Sequence, residues 1–302
     1  MSTIKISGSK AVYTFDPEIS FLREGKFSTV YCGTDDLNCS VLIKKLHSFN
    51  DVSEYSNHFS HPTFVGYSDM CDVNDVRYLI RPFIEGESFF DLSKSAVIRK
   101  KANRDLLIKS IQNLGEAFHA LHVSGMIHGD IRPHNILLKY SDHTKQLSPE
   151  VKIIDLAMMR KAGEIPVHKG FALIYSPPEL VLKQYHLIGP SSDQYSLAIS
   201  MYEILSGSLP FKHFNPELLT LLMLVHPLKD VQGISKGTLE VLRKGSARYV
   251  FKSPPTNLND DDLANDLQEG INNRFSSIIE FTDALASSLT REKKSFFSFF
   301  NS

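Results

Sequence analysis

The stretch IHGDIRPHNILL, residues 127–138, places Asp130 and Asn135 in one charge-dense loop between two apolar flanks. A lone Asp-Asn pair is ordinarily a turn or capping pair. The surroundings argue for more. The preceding run DLLIKSIQNLGEAFHALHVSGM carries apolar residues at Leu107, Ile108, Ile111, Leu114, Phe118 and Leu121, a helical period that ends near Gly125. Ile136, Leu137 and Leu138 form a short apolar strand on the far side, and VKIID, residues 151–155, is a second one ending in an acid. A helix thus delivers the loop and a strand fixes its exit. Two strand ends then aim Asn135 and Asp155 at one place, a pair of oxygen ligands that suits Mg²⁺.

These residues carry a resemblance. His128, Asp130 and Asn135 resemble the H-R-D-x-x-x-x-N catalytic loop of protein kinases, with Gly129 in place of the Arg, and Asp155-Leu156-Ala157 stands at their D-F-G. The H-G-D spelling also resembles small-molecule kinases acting on aminoglycosides or choline, so the rest of the chain decides. IYSPPEL, residues 174–180, resembles the A-P-E segment through Pro178 and Glu179. SSDQYSLAISMYEILSGSLPF, residues 191–211, is similar to the family's central helix, with Asp193 near its start and Gly207 and Pro210 at its end. Arg274 stands where the family keeps the Arg that pairs with that Glu, so a buried Glu179–Arg274 pair is expected. Taken singly, Asp193 reads as a helix N-terminal acid and Arg274 as a surface charge. In order and at family spacing they favour the protein kinases.

Upstream, FLREGKFSTVYCG, residues 21–33, is similar to the glycine-rich strand pair that covers ATP. Arg23, Gly25 and Ser28 stand at its three glycine positions and Val30 at its valine. VLIKK, residues 41–45, matches V-A-I-K, so the resemblance assigns Lys44 to the α- and β-phosphates and Glu54 as its partner. RYLIRPFIEGESFFDL, residues 77–92, resembles the strand and hinge between lobes. It places Arg81 at the position guarding the pocket behind adenine, and leaves adenine to the Pro82 carbonyl and the Ile84 backbone. A cation at Arg81 has to be paired or reach water, and Glu54 is the partner expected.

The resemblance implies an α+β, two-lobed protein-kinase-like fold filling 1–302 as a single domain. A small β-rich N-terminal lobe runs over about 10–84, a larger, mainly helical C-terminal lobe over about 85–290, and a basic, aromatic tail over 291–302. It implies ATP and Mg²⁺ as cofactors. Adenine would lie between Leu22, Val30 and Leu42 above and Leu137 below, with Gly25 and Lys44 on the phosphates and Asn135 and Asp155 on the metal. Asp130 would take the substrate proton and Arg132 would neutralise the γ-phosphate. Arg132 follows Asp130 by two residues, as in serine/threonine kinases, so the hydroxyl is that of Ser or Thr in a protein substrate. The alternatives are a pseudokinase acting as a nucleotide-binding scaffold, suggested by Arg23, Ser28, Arg81 and Ala157, and a small-molecule kinase.

In the family, the catalytic-loop Arg pairs with a phosphorylated residue on the activation loop. Here Gly129 removes the receptor, and LAMMRKAGEIPVHKGFALI, from Leu156 to Ile174, contains no Ser, Thr or Tyr. The loop is therefore expected to be ordered without a phosphate, by packing of Ile165, Val167 and Phe171 or by a partner. Ala172 falls near the position of the Thr that contacts the catalytic Asp from the substrate end.

Composition agrees. At 302 residues and 42% hydrophobic, the chain is long enough for two cores, and a net charge of −1 gives no general attraction to nucleic acid. Cys32, Cys39 and Cys71 are odd in number without metal spacing, which points to free thiols in a reducing compartment, the cytoplasm. MSTIKISGSK has no apolar signal region, and no run reaches the ~18 residues of a membrane span. SPPTNLNDDD reads as a surface loop before Arg274. The tail REKKSFFSFFNS reads as a disordered end or one tucked against the large lobe, ahead of the alternative of a weak membrane-surface contact.

Overall fold

The computed structural model describes residues 3–25, 27–48, 55, 59–166, 171–255 and 258–298, with the side chains of Lys101, His143 and 292–298 outside that set. Glu54, Val167 and the last residues of the tail lie outside the described residues.

The first part of the chain is a curved antiparallel sheet. Its strands are β1 (Ile4–Ser7), β2 (Val12–Phe15), β3 (Phe21–Glu24), β4 (Ser28–Thr34), β5 (Ser40–Leu46), β6 (Asp69–Val73) and β7 (Val76–Pro82), in the order β1-β2-β4-β5-β7-β6, with β3 also on β4. Period-two patterning builds it. On β5, Val41 and Ile43 point into a core with Ile6, Tyr13, Phe15, Tyr31, Tyr78 and Ile80, so Leu42 and Lys44 point to the opposite face. The β1–β2 hairpin supplies one wall of that core, and the sheet begins at Ile4, ahead of the boundary near residue 10 that sequence suggested. Asp69, on the last strand of the order, ties the sheet back to its first. Its carboxylate accepts from the Ser9 hydroxyl at 2.7 Å, the Lys10 amide at 2.9 Å and the Tyr13 hydroxyl at 3.0 Å.

The second part is mainly helical. β8 (Gly86–Ser88) leads to α1 (Phe89–Lys94), α2 (Arg104–Val123), β9 (Met126–Ile127), β10 (Ile136–Ser141), β11 (Gln146–Ile153) and β12 (Arg160–Lys161). Then come α3 (Pro178–Val181), α4 (Pro190–Ser206), α5 (Pro216–Val225), α6 (Lys236–Gly245), α7 (Asp260–Asn272) and α8 (Ile278–Ser298). Helix α2 begins and ends as its apolar period predicts, burying Leu107, Ile111, Leu114, Phe118 and Leu121. Helix α4 is buried along nearly its whole length and stops at Gly207, whose φ of +74° is the left-handed cap.

One reading changes. The acids of SPPTNLNDDD belong to a helix, because Asn259 caps α7 by accepting from the Asp262 amide at 2.8 Å and Asp260, Asp261 and Asp262 fill its first turn. Side-chain capping and the helix dipole favour that arrangement over a loop.

Candidate active site

Helix α2 and strand β9 deliver the polar loop, and β10 and β11 pair Ile136 with Ile153, which brings the loop's exit beside Asp155. The loop's entry is held from below. The buried Asp193 carboxylate accepts from the amides of His128 at 2.8 Å and Gly129 at 2.9 Å and bonds His122 Nε2 at 2.9 Å. Burial alone would raise its pKa, but the His122 bond and the neighbouring histidine charges outweigh that and hold it below the ordinary carboxylate value. Asp193 is thus a clamp on the catalytic loop, a role its position in sequence did not disclose.

Asn135 is fully buried and donates through Nδ2 to Asp130 O at 2.9 Å and Asp130 Oδ2 at 2.8 Å. Its Oδ1 has no hydrogen-bond partner among the described residues. A buried, unpaired amide oxygen beside a carboxylate is the donor set a hard dication takes, so the residues fit Mg²⁺. Asp130 is half-buried, with Arg132 Nε 3.2 Å from its Oδ2 in an ion pair that lacks hydrogen-bond alignment. Burial first, and then Asp155, push the Asp130 pKa up, against Arg132, His128 and Asn135.

Asp155 sits at φ +65°, a left-handed conformation rare for a non-glycine residue and typical of a strained functional position. Lys44 Nζ is 2.5 Å from its Oδ1, and the Tyr67 hydroxyl donates to the same oxygen at 3.2 Å. Burial would raise the Asp155 pKa, but Lys44, then Arg132 and Arg23, hold it well below the usual range. Lys44 therefore reaches the Asp155 carboxylate, and its expected partner Glu54 lies outside the described residues. Sequence reading missed Tyr67. A lone tyrosine ending HPTFVGY carries no signal of its own, and only the packing of Tyr67 with Leu46 and Leu79 turns it toward the cleft.

Lys44, Gly25, Ser28, Asp130, Arg132 and Asp155 line one cavity of about 370 Å³. Val30 is buried, and Leu42 and Leu137 are half-buried. Leu22 is 48% exposed and sits at an irregularity between Phe21 and Arg23. That bulge pairs Arg23 with Val30, so Arg23 shares the face of Val30 and lines the cavity, whereas Leu22, which the resemblance set above adenine, is not among the cavity's lining residues. At the hinge, the buried Arg81 donates through Nη1 to Pro82 O at 3.0 Å, the carbonyl expected to accept from adenine. The Ile84 backbone lies two residues further on.

Glu179 and Arg274 form the expected buried pair. Nη1 meets Oε1 at 2.7 Å and Nη2 meets Oε2 at 3.0 Å, and Arg274 also donates to the carbonyls of Ser191 and Ala247.

Comparison with known proteins agrees with this geometry. The protein kinase domain model matches residues 18–240, and the chain belongs to the protein kinase family. Among curated relatives, it is 28% identical over 210 residues to the serine/threonine-protein kinase pkn2 of Myxococcus xanthus, covering 63% of this chain and 24% of that protein. It is 27% identical over 210 residues to the serine/threonine-protein kinases drp72 of Corynebacterium efficiens, covering 62% of this chain and 38% of that protein. It is 25% identical over 205 residues to a titin homolog of Caenorhabditis elegans, covering 63% of this chain and 1% of that protein. The chain thus spans well under half the length of these relatives.

Proposed function

We propose that this chain transfers the γ-phosphoryl group of ATP to Ser or Thr hydroxyls of a protein substrate, with Mg²⁺. The observation that carries the reading is that Lys44, Asp130, Arg132 and Asp155 line a single cavity although the chain brings them from separate strands and loops. Asp130 orients the substrate hydroxyl and accepts its proton, and its raised pKa makes it a better base than an ordinary carboxylate. Arg132 sets a cation beside it for the charge that develops on the transferring group. Asn135 and Asp155 would hold Mg²⁺, whose charge neutralises the phosphate oxygens, and Lys44 swings from Asp155 onto the phosphates. The odd number of cysteines, without metal spacing, is what supports a reducing, cytoplasmic setting.

One observation favours a second reading. Arg81 already occupies the Pro82 carbonyl, so a scaffold that binds nucleotide weakly and transfers nothing is the alternative. Incubation with labelled ATP, Mg²⁺ and a generic protein substrate separates the two. Label recovered as phosphoserine or phosphothreonine supports the enzyme, and bound nucleotide without transfer supports the scaffold.

A further inference from the structure

The start of the activation loop lies against the catalytic loop without any phosphate acceptor to hold it. Gly129, just before Asp130, has a φ of +75°, and a Cβ built there would collide with the Arg160 guanidinium and come within 2.9 Å of Met158 O. The space beside the catalytic loop is therefore filled by an arginine that arrives from the other side. Strand β12 brings it, pairing Arg160 with Ile127, and Arg160 is only 3% exposed, with Nη1 donating to Met158 O at 3.0 Å. Two carboxylates act on this cation. Burial lowers its pKa, and Asp193 and Glu164 oppose that fall. Asp193 is the clamp on the His128 and Gly129 amides, and Glu164 accepts from the Tyr55 hydroxyl at 3.0 Å and the Lys161 amide at 3.2 Å.

We propose that Arg160 is the positioning arginine of this kinase: its guanidinium, entering from the activation loop, packs against Gly129 and through it braces Asp130. The inference rests on the reading of Asp130 as the base. It explains how Gly129 is tolerated, because a side chain there and Arg160 exclude one another. It also replaces the packing expected of Ile165, which is 70% exposed. Phe171 does pack, beside Ile127, Leu180 and Ile188, and Val167 lies outside the described residues.

The test uses the full chain, phosphatase-treated, as wild type, Arg160→Met and Arg160→Lys. Arg160→Met is expected to lower kcat by about 10- to 100-fold, the cost of a misplaced catalytic group, with KM for Mg-ATP unchanged. Arg160→Lys, which keeps a cation on a similar stem, restores part of it. Hydrogen exchange of the 128–135 amides is read in parallel and needs no turnover, so it reports even if the wild type transfers no phosphate. Faster exchange there in Arg160→Met, partly reversed in Arg160→Lys, with the rest of the chain unchanged, supports the proposal. Unchanged kcat and unchanged exchange in folded variants overturn it, as does a fall in melting temperature in both variants with exchange at 128–135 rising no more than elsewhere.

Discussion

At Arg81 the hinge carbonyl that would receive the adenine amine is already hydrogen-bonded by a buried guanidinium. Burial lowers the Arg81 pKa to about 10, with Tyr67 and Asp155 opposing the fall, so the group stays charged at neutral pH. Adenine and Arg81 are both donors toward Pro82 O, and nucleotide entry has to displace or share that bond. Arg81→Met is therefore expected to tighten Mg-ATP binding by about tenfold, or about 1.4 kcal/mol, read by titration calorimetry. An unchanged Kd would mean that the guanidinium yields the carbonyl at no cost. Asp130 is expected to behave oppositely, since in the proposed reaction it takes the substrate proton and does not hold the adenine. Asp130→Asn should reduce phosphoryl transfer by about 10²–10⁴-fold while nucleotide binding is retained. Single-turnover rates beside equilibrium binding decide it, and undiminished turnover would remove Asp130 from the base role.

Among the elements, the β1–β2 hairpin has the most testable anchor. Asp69 is 6% exposed, and although burial would raise its pKa, hydrogen bonds from Ser9, Lys10, Met70 and Tyr13 bring it down from 3.8 to about 2. A carboxyl depressed in the folded state contributes stability that is fully present above its unfolded pKa and lost as pH falls through the folded one. The contribution amounts to about 2 kcal/mol and disappears between about pH 4 and pH 2. Asp69→Asn cannot titrate, so its stability deficit relative to wild type should shrink across that window in urea melts, and a deficit that stays constant would contradict the assignment. The activation loop is a second element with a definite expectation. With no Ser, Thr or Tyr between Leu156 and Ile174, initial rates of phosphatase-treated and ATP-preincubated protein should agree. A large rise mapped to a site in that segment would count against it.

At the scale of the molecule, the Glu179–Arg274 pair joins α3 to the turn between α7 and α8, and both side chains are almost fully buried. The bidentate geometry and the carbonyls of Ser191 and Ala247 satisfy the guanidinium, so removing it strands a buried carboxylate. Arg274→Ala should destabilise the large lobe by about 3–5 kcal/mol. Thermal melting checks it, and an unaltered Tm would show that Glu179 finds another partner.

Short motifs with fixed spacing were legible in the chain alone. The helix of α2 and the strands around the polar loop follow from apolar period, while the Asp130, Asn135 and Asp155 set and the Glu179–Arg274 pairing came from resemblance to a family whose motifs specify the partners. The tertiary structure decided what depends on side chains meeting across elements. A single bulge sets Arg23 opposite Val30 and onto the cavity face, since one extra residue in a strand inverts alternation. Tyr67 on Asp155, Arg81 on Pro82 O, Asp193 under Gly129 and Arg160 beside it are contacts between segments with no periodicity linking them. Nothing in the order of residues states that Gly129 leaves room for a guanidinium arriving from β12. That became visible only when β9 and β12 paired.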